Sequence, residues 1–481
     1  MNKQYGALAV LLLAACMGPN YHRPNPPAVD RYTAEPLPQA TTAAEGQGGT
    51  AQRFVGNQDI PAKWWALFES ASLNELEEQA LKASPDLQAA QAALRVAQEN
   101  VFAQQGLFYP SLAGSASASR NKNAAEPSPT LNSNVLLFNL YQAQLSASWA
   151  PDLFGTNRRT VEALKAQADA QRFQLEATYA ALTANIAVAA VQEASVRAQI
   201  AATQDIIRAE TEALVILRKQ QSLGLAAGIE VAAQEAVLAQ AEQSLPPLQK
   251  QLAQLHDLLS VLTGRFPSEG VATEFELTSL RLPEELPVTL PSKLVEQRPD
   301  IRIAEANLHA ASAQIGVAIA NMMPNVTLSA TDGNVATMLG ELFKGSNGFW
   351  SVSAGITQPL FQGRTLLHRK RAAQEAYEQA AAQYRSTVLR AFQDVASSLH
   401  TIQGDADALR AAVTAEHAAK DSLEITRRNL DLGEVSYLAL LSAEQTWRQA
   451  ELSLVQAQAS RYVDTATLFL ALGGGWWNRS G

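Results

Sequence analysis

Residues 156–223 decide the fold: TNRRTVEALKAQADAQRFQLEATYAALTANIAVAAVQEASVRAQIAATQDIIRAETEALVILRKQQSL. The stretch contains no Gly or Pro and lies between Gly155 and Gly224. As an α-helix it would extend roughly 100 Å. Its apolar residues recur at heptad spacing, for example at Val161, Ala168, Leu175, Leu182, Ala189 and Val196. A sustained heptad predicts a long helix that packs lengthwise against other long helices.

Composition and motifs restrict the function classes. Charged residues make up 17% of the chain, the net charge is −9, and no block of Lys or Arg stands out, so we predict no nucleic-acid partner. No apolar run is long enough for a transmembrane helix. The sequence lacks the H-E-x-x-H, G-x-x-x-x-G-K-[ST] and G-x-S-x-G patterns, and its 6 histidines have no ligand-like spacing. We therefore predict no enzyme activity, no cofactor and no metal site.

The N-terminus has the features of a lipoprotein leader. Residues 1–15 are predicted to be a signal peptide, with Lys3 before a short apolar core that ends in LAAC. This ending resembles a bacterial lipobox and predicts acylation of Cys16, the only cysteine. Met17 follows, and not the Asp that retains lipoproteins in the inner membrane, which predicts delivery to the outer membrane of a Gram-negative cell. Residues 16–60 are rich in Pro and Gly and predict a flexible tether without chemistry.

Beyond residue 60 the sequence contains two copies of the same arrangement of predicted helices and strands. Matching positions are Pro85 and Pro299, Leu153-Phe154 and Leu360-Phe361, Gly224 and Gly433, and Gly264 and Gly473. The copies span residues 61–270 and 271–475, before a short tail at 476–481. Each copy predicts a helix, a strand, a loop, a strand, a long helix, a tight turn at Gly224 or Gly433, and a returning helix.

Two segments in each copy alternate apolar and polar residues, which predicts strands at 111–119, 139–149, 326–331 and 350–357. The loops between them, 120–134 and 332–348, are polar or Gly-rich. Alternation usually means a sheet with one face on a protein core, but no helix has an apolar face reserved for these strands. We predict instead that the apolar face contacts lipid. That face carries Tyr141, Leu145, Trp149, Val326, Leu328, Trp350, Val352 and Ile356.

Four strands cannot close a membrane barrel, and lipid does not tolerate an open sheet edge. The chain must therefore pair its strands with those of its own copies. Two copies would give eight strands and three would give twelve, and the residues alone leave both numbers open.

Several stretches together resemble the TolC-type outer-membrane efflux proteins, specifically the NodT-like lipoprotein subgroup of resistance–nodulation–division (RND) systems. They are GPNYHRP at 18–24, WWALFESASLNELEEQAL at 64–81, SWAPDLFGTNRR at 148–159, and QRPDIRIAEANLHAASAQIGVAIANMMPNVTLSA at 297–330. The resemblance implies an α+β membrane protein that forms a homotrimer. Its twelve-stranded β-barrel, four strands per chain, continues into a long periplasmic α-helical barrel with a mixed equatorial zone.

The resemblance also implies a function and a gate. The function is an exit duct that passes drugs or other small toxic solutes outward from a periplasmic membrane-fusion adaptor and an inner-membrane RND transporter. The family's gate lies at the helical tips, where ion pairs hold the hairpins shut. Carried over by position, the candidate gate residues are Glu230, Arg218, Arg427, Arg428, Tyr437 and Ser442.

Two of these gate candidates leave alternatives open. Ser442 and Ala439 stand where family members carry Asp, so Glu230 is the main candidate for an acidic ring. Glu230 is equally explained as a helix-start residue, which the helix dipole favours.

Two other functions also remain open: a duct for type I protein secretion, and a periplasmic coiled-coil adaptor or scaffold. The lipobox and the QRPDIR stretch favour the efflux subgroup. The duplicated strands argue against a scaffold, because an adaptor needs no lipid-facing strands.

We expect Cys16→Ser to abolish incorporation of labelled palmitate, because the thiol is the acyl acceptor. Met17→Ser, which keeps the cysteine, should retain the label. A single acyl chain binds membranes only marginally, whereas several chains anchor a protein stably. Undiminished label in Cys16→Ser, measured on the immunoprecipitated protein, would exclude the lipidation site.

Overall fold

The computed structural model describes residues 17–122 and 136–479. Cys16, the predicted signal peptide and most of the loop predicted at 120–134 therefore lie outside the described residues. The described chain divides into two compact units. Unit 1 contains residues 17–24, 93–172 and 303–384, and unit 2 contains residues 25–92, 173–302 and 385–479. Each unit takes segments from both sequence repeats.

The predicted helices follow the predicted order, and each copy adds a shorter helix, not predicted, before its first one. The helices are α1 Ala71–Ala83, α2 Pro85–Gly106, α3 Thr156–Ser222, α4 Gly228–Leu262, α5 Pro291–Gln297, α6 Pro299–Ala320, α7 Thr365–Asp431 and α8 Tyr437–Ala471. The heptad stretch is the single helix α3, and α3 and α7 have 67 residues each. Likewise α4 and α8 have 35 residues each, so the helices of the two repeats match in length. None of the helices in the described part of the chain combines the length and hydropathy needed to cross a membrane.

The strands form two sheets. They are β1 Arg53–Gly56, β2 Ser111–Lys122, β3 Leu137–Trp149, β4 Glu285–Val288, β5 Asn325–Ala336 and β6 Gly348–Thr357. The four predicted strands build one antiparallel sheet in the order β2-β3-β5-β6. The short strands β1 and β4, which were not predicted, pair in parallel in unit 2. The prediction that a loop begins at Asp332 is wrong, because β5 continues to Ala336.

The strand register places all the predicted lipid-facing residues on one face of the sheet. Trp149 lies opposite Leu328, and Val326 lies opposite Ile356. Directly paired residues share a face, and the face alternates along each strand. Asp332, which pairs with both Leu145 and Trp350, adds a carboxylate to this face that the sequence analysis missed.

Residues 25–60 are not the flexible tether that was predicted. Gln52 is fully buried, and its amide donates to the Pro283 carbonyl and to Thr465 Oγ1, at 3.0 Å each. Arg461, which is 1% exposed, donates to Gln52 Oε1 at 2.9 Å. Gly49 is needed where it stands, because a Cβ there would lie 2.2 Å from the Ala44 carbonyl oxygen. Thr41, Gln52 and Ile60 of this segment are therefore buried within unit 2.

An aromatic cluster is buried in unit 2 and explains the WWALF motif. Trp64, Trp65 and Phe68 form one short helical turn and are at most 1% exposed. Trp64 meets Phe469 of α8 with ring centroids 5.3 Å apart, and Phe68 meets Tyr462 at 6.2 Å. Aromatic pairs in these geometries contribute about 0.5–1.5 kcal/mol beyond the area they bury.

The QRPDIR motif joins three helices of unit 2. Arg298 donates to Asp300 at the start of α6 and to Asp394 of α7, at 2.7 and 3.0 Å. It also donates to the Ala471 carbonyl at the end of α8, at 3.0 Å. The guanidinium therefore bonds an otherwise unsatisfied carbonyl in the last turn of that helix.

Glu77 on α1 is a buried carboxyl group without a partner. Its side chain is fully buried, and neither oxygen has a hydrogen-bond partner among the described residues. Burial raises the pKa of Glu77 well above its usual value. The folded protein therefore holds this carboxyl protonated at pH values where the unfolded chain ionises it, so stability is lost as pH rises above about 4.5.

We expect Glu77→Gln to stabilise the protein at pH 8 and to leave it unchanged near pH 4. Between the unfolded and folded pKa values the parent protein should lose roughly 1.4 kcal/mol per pH unit relative to the variant. Glu75→Gln on the exposed side of the same helix is the matched control and should change little. Thermal unfolding in detergent at both pH values measures the effect, and an equal gain at pH 4 would contradict it.

Candidate functional site

The two long hairpins turn at glycines with the same geometry. Gly224 and Gly433 both have φ +74°, a left-handed conformation that glycine adopts without steric cost. In the first turn the amides of Gly224 and Leu225 donate to the carbonyls of Gln221 and Gln220, at 2.9 Å each. The second turn repeats both bonds. This is the Schellman motif, which ends a helix and satisfies its last carbonyls.

Each hairpin carries one equivalent ion pair close to its turn. Arg218 of α3 pairs with Glu235 of α4 at 2.6 Å, and Arg427 of α7 pairs with Glu444 of α8 at 3.0 Å. Arg428 lies 3.7 Å from Glu424 on its own helix. The predicted arginines are therefore engaged within their own hairpins, and none of them pairs with Glu230 in the described chain.

Glu230 lies in the first turn of α4, two residues after Gly228. Its carboxylate accepts a hydrogen bond from the Ala227 amide at 2.8 Å, at the N-terminus of α4. A carboxylate in the first helical turn also interacts favourably with the helix dipole. Ser442 is exposed on α8, and its carbonyl accepts the Thr446 hydroxyl at 2.8 Å.

A buried polar network links the first hairpin to the second, and the sequence analysis identified only one of its members, Tyr437. Tyr437 donates to Gln234 Oε1 at 2.9 Å, and the Gln234 amide donates to the Glu210 carbonyl at 3.0 Å. The carboxylate of Glu210 pairs with Arg448 of α8, which also lies 3.5 Å from Glu444. Since α3 and α4 supply Glu210 and Gln234, these bonds hold the two repeats of one chain together.

Burial governs the electrostatics of this network. The side chains of Glu210 and Arg448 are 2% and 14% exposed. Burial lowers the pKa of the Arg448 guanidinium to about 10, so it stays charged at neutral pH beside its carboxylates. Burial, together with the charges of Glu444 and Glu230, raises the pKa of Tyr437 to about 12, so its hydroxyl remains a donor.

A small apolar cluster lies next to the network. It consists of the buried residues Leu214, Leu217 and Val231, against which Ala226, Leu238 and Tyr437 pack. Tyr437 therefore contributes twice to the contact between the hairpins, with its ring in this cluster and with its hydroxyl on Gln234.

Residues 17–21, just after the predicted lipid site, pack against other residues of unit 1. The Met17 amide contacts the Phe154 carbonyl, between the end of β3 and the start of α3, at 3.5 Å. Arg159 of α3, which is 5% exposed, donates to Asn20 Oδ1 at 3.0 Å. Tyr21 stacks on His309 of α6 with ring centroids 4.2 Å apart. These contacts fix the chain from the residue next to Cys16 onward.

Two further features define the contact region of this N-terminal segment. Gly18 has φ +108°, and a Cβ there would lie 2.5 Å from the Gly316 Cα, so only glycine fits. Glu162 contacts Arg159 Nη1 at 2.6 Å and His309 Nε2 at 3.0 Å. Burial acts to raise the pKa of Glu162, but the bonds from Arg159 and His309 outweigh it and lower that pKa.

The described residues contain no group of three or more His, Cys, Asp or Glu side chains placed to hold a metal ion. The sites found here are ion pairs, caps and packed contacts.

The sequence profile of the outer membrane efflux proteins matches residues 76–265 and 290–474, one match in each repeat. The chain belongs to this family. Its members are efflux ducts of the outer membrane and not enzymes, which confirms the efflux function predicted from the sequence.

Individual relatives match along nearly the whole chain. The toluene efflux pump outer membrane protein TtgC of Pseudomonas putida is 28% identical over 92% of both chains. The pyoverdine export outer membrane protein OpmQ of Pseudomonas aeruginosa is 30% identical over 86% of this chain and 87% of its own. The solved structure of the outer-membrane channel OprN superposes with a TM-score of 0.84 at 26% identity, over 95% of this chain and 99% of its own.

The buried members of the network left only a weak signal in the sequence. Glu210 and Gln234 lie on α3 and α4 among many Glu and Gln residues, most of which are exposed. Glu444 and Arg448 are four residues apart on α8, a spacing that equally suits a solvated pair. Nothing in the local sequence distinguishes Arg448 from the exposed arginines.

We expect Arg448→Met to destabilise the protein by roughly 3–5 kcal/mol, because it leaves the Glu210 carboxylate buried without its partner. The double variant Glu210→Met/Arg448→Met should recover much of this loss. The control is Arg410→Met, whose exposed pair with Asp407 should contribute about 0–1 kcal/mol. Thermal unfolding gives the double-mutant cycle, and strictly additive losses would show that the pair is not coupled.

Proposed function

We propose that this protein is the outer-membrane exit duct of a tripartite RND-type efflux pump. In this proposal three chains form the duct, and each contributes four strands to a twelve-stranded β-barrel that continues into a periplasmic helical barrel. Solutes enter from a periplasmic adaptor and an inner-membrane RND transporter and leave to the exterior. The duct itself performs no chemistry, so the energy comes from the transporter.

The observation that carries the proposal is the four-stranded sheet of unit 1. All eight residues predicted to contact lipid share one face, and on the other face the side chains of β3, such as Gln142 and Ser146, are uncharged. Within the described chain, β2 and β6 are each paired along one edge only. Unpaired backbone groups are not tolerated in lipid, so a membrane-crossing sheet of this kind requires strands from further copies.

The packing of residues 17–21 supports outer-membrane anchoring. Met17 lies beside Phe154, where the chain passes from the last residues of β3 into α3. Acyl chains on Cys16 would thus enter the membrane at the boundary where the strands leave it. This arrangement fits a lipoprotein whose helical part lies in the periplasm.

The hairpin turns are the proposed periplasmic gate and the proposed docking point of the adaptor. The network of Glu210, Gln234, Tyr437 and Arg448 ties the second hairpin to the first and so resists its outward movement. Opening would require exchange of these buried bonds, which fits a resting duct that stays closed until a partner binds.

The transported solute is a separate question from the duct. TtgC is named for toluene efflux and OpmQ for pyoverdine export, although both match the chain over most of its length. The duct fold thus accompanies quite different cargoes, so we assign selection of the solute to the transporter.

We expect Val352→Arg to hinder membrane insertion, at roughly 2–4 kcal/mol near the bilayer midplane, whereas Leu145→Arg should cost less because Leu145 pairs directly with Asp332. Ser146→Arg, one residue along β3 and on the opposite face, is the matched control and should be tolerated. The parent protein should run as a detergent-stable trimer and form channels in planar bilayers. Equal damage on both faces, or a monomeric parent without conductance, would refute the proposal.

A further inference from the structure

Each repeat has a junction where its last strand leads into its long helix. The first junction contains Leu153-Phe154, between the end of β3 and Thr156 of α3. The second contains Leu360-Phe361, between the end of β6 and Thr365 of α7. The two junctions are equivalent in the duplicated sequence, but their surroundings differ.

The chain's own N-terminal segment contacts the first junction, where Leu153 is 37% exposed. Met17 contacts the Phe154 carbonyl, and Arg159 is buried against residues 17–20 and Glu162. Met17, the residue that follows the predicted acylation site in the sequence, therefore lies at this junction, and the charge of the buried arginine is compensated inside the protein.

The second junction is more exposed in the described chain. Leu360 is 92% exposed and Phe361 is 87% exposed. Three and eight residues after Phe361 come Arg364 and Arg369, followed by Lys370 and Arg371. The sequence contains no long block of Lys and Arg. This short basic run matters because the structure shows that the preceding Leu360 and Phe361 are exposed.

The basic residues of the second junction are not neutralised within the protein. None of Arg364, Arg369, Lys370 and Arg371 forms an ion pair with a carboxylate in the part of the chain that the structure describes. Along the helix the next acidic residue is Glu375. Arg364 directly precedes α7 and the other three basic residues lie within its first two turns, so the four positive charges repel one another and favour an external anion.

The position of this cluster indicates what the anion is. The first basic residue, Arg364, follows seven residues after Thr357, where β6 ends and where Asn325 pairs with it at the same end of the sheet. Strands that cross the membrane, as the proposed function has it, end there at the lipid headgroups. Exposed Leu and Phe side chains beside Lys and Arg suit that boundary, because the apolar groups enter the acyl region while the cations meet phosphates.

We infer that the second junction, defined by Leu360, Phe361, Arg364, Arg369, Lys370 and Arg371, is a binding site for anionic phospholipid. The phosphates of phosphatidylglycerol or cardiolipin contact the basic side chains, and the acyl chains contact Leu360 and Phe361. Each repeat thus holds lipid at its junction, the first covalently through the nearby Cys16 and the second through charge. The inference rests on the proposed membrane crossing of the strands.

Native mass spectrometry of the full-length protein in neutral detergent tests the site, with cardiolipin, phosphatidylglycerol and phosphatidylcholine as probes. The parent should retain the two anionic lipids in preference to phosphatidylcholine. Arg369→Gln/Lys370→Gln should weaken anionic-lipid retention roughly tenfold, because each basic residue near an anionic surface adds attraction. The control Arg120→Gln/Lys122→Gln removes two charges at the opposite end of the sheet and should behave like the parent.

The possible outcomes are distinct. Equal retention by both double variants, or no preference of the parent for anionic lipid, overturns the site. Dissociation of Arg369→Gln/Lys370→Gln into monomers in neutral detergent also overturns it, because the cluster would then contact a second copy of the chain. Channel formation by the parent in neutral planar bilayers is scored separately. A parent protein that forms no channels refutes the proposed function, whereas a parent that forms channels but retains lipids unselectively refutes only the lipid site.

Discussion

The open edges of the four-stranded sheet impose the constraint on which the rest of the structure depends. Within the described chain, β2 and β6 each leave one row of backbone amide and carbonyl groups without a strand partner. Water satisfies such groups at a surface, but hydrocarbon does not, and each unsatisfied group in lipid costs several kcal/mol. A membrane location for this sheet therefore implies copies of the chain. The long helices, which follow directly from β3 and β6, would then also assemble around the shared axis of the trimer that we propose.

The two repeats share backbone geometry but carry different charged side chains at equivalent positions. Both turns close with a left-handed glycine, and both hairpins carry one Arg–Glu pair near the turn. The repeats differ where they must contact something other than themselves. Arg448 of the second repeat reaches Glu210 of the first, and Arg159 of the first repeat binds the N-terminal segment. The two copies thus keep the same local geometry, while single side chains such as Arg448 and Arg159 give each copy its own binding partners.

The N-terminal segment shows where reasoning from composition fails. Pro and Gly correctly exclude long regular elements there, but they do not exclude order. Its order comes from partners far away in the chain, such as Arg461, which donates to Gln52 across 409 positions. Such a bond leaves no periodicity and no local motif. The same limit applies to Glu77, an acidic residue among exposed glutamates whose burial only the folded packing reveals.

The sequence by itself determined the long helices, their turns, the duplication and the apolar face of the sheet. These features follow from local rules: helix continuity without Gly or Pro, heptad spacing, left-handed glycines and the two-residue period of a strand. Only the tertiary structure decided which charges are buried and which partners they find, as with Glu210 and Arg448. The physical reason is that desolvation and pairing depend on side chains brought together from distant positions, whereas periodicity records only which face of an element is apolar.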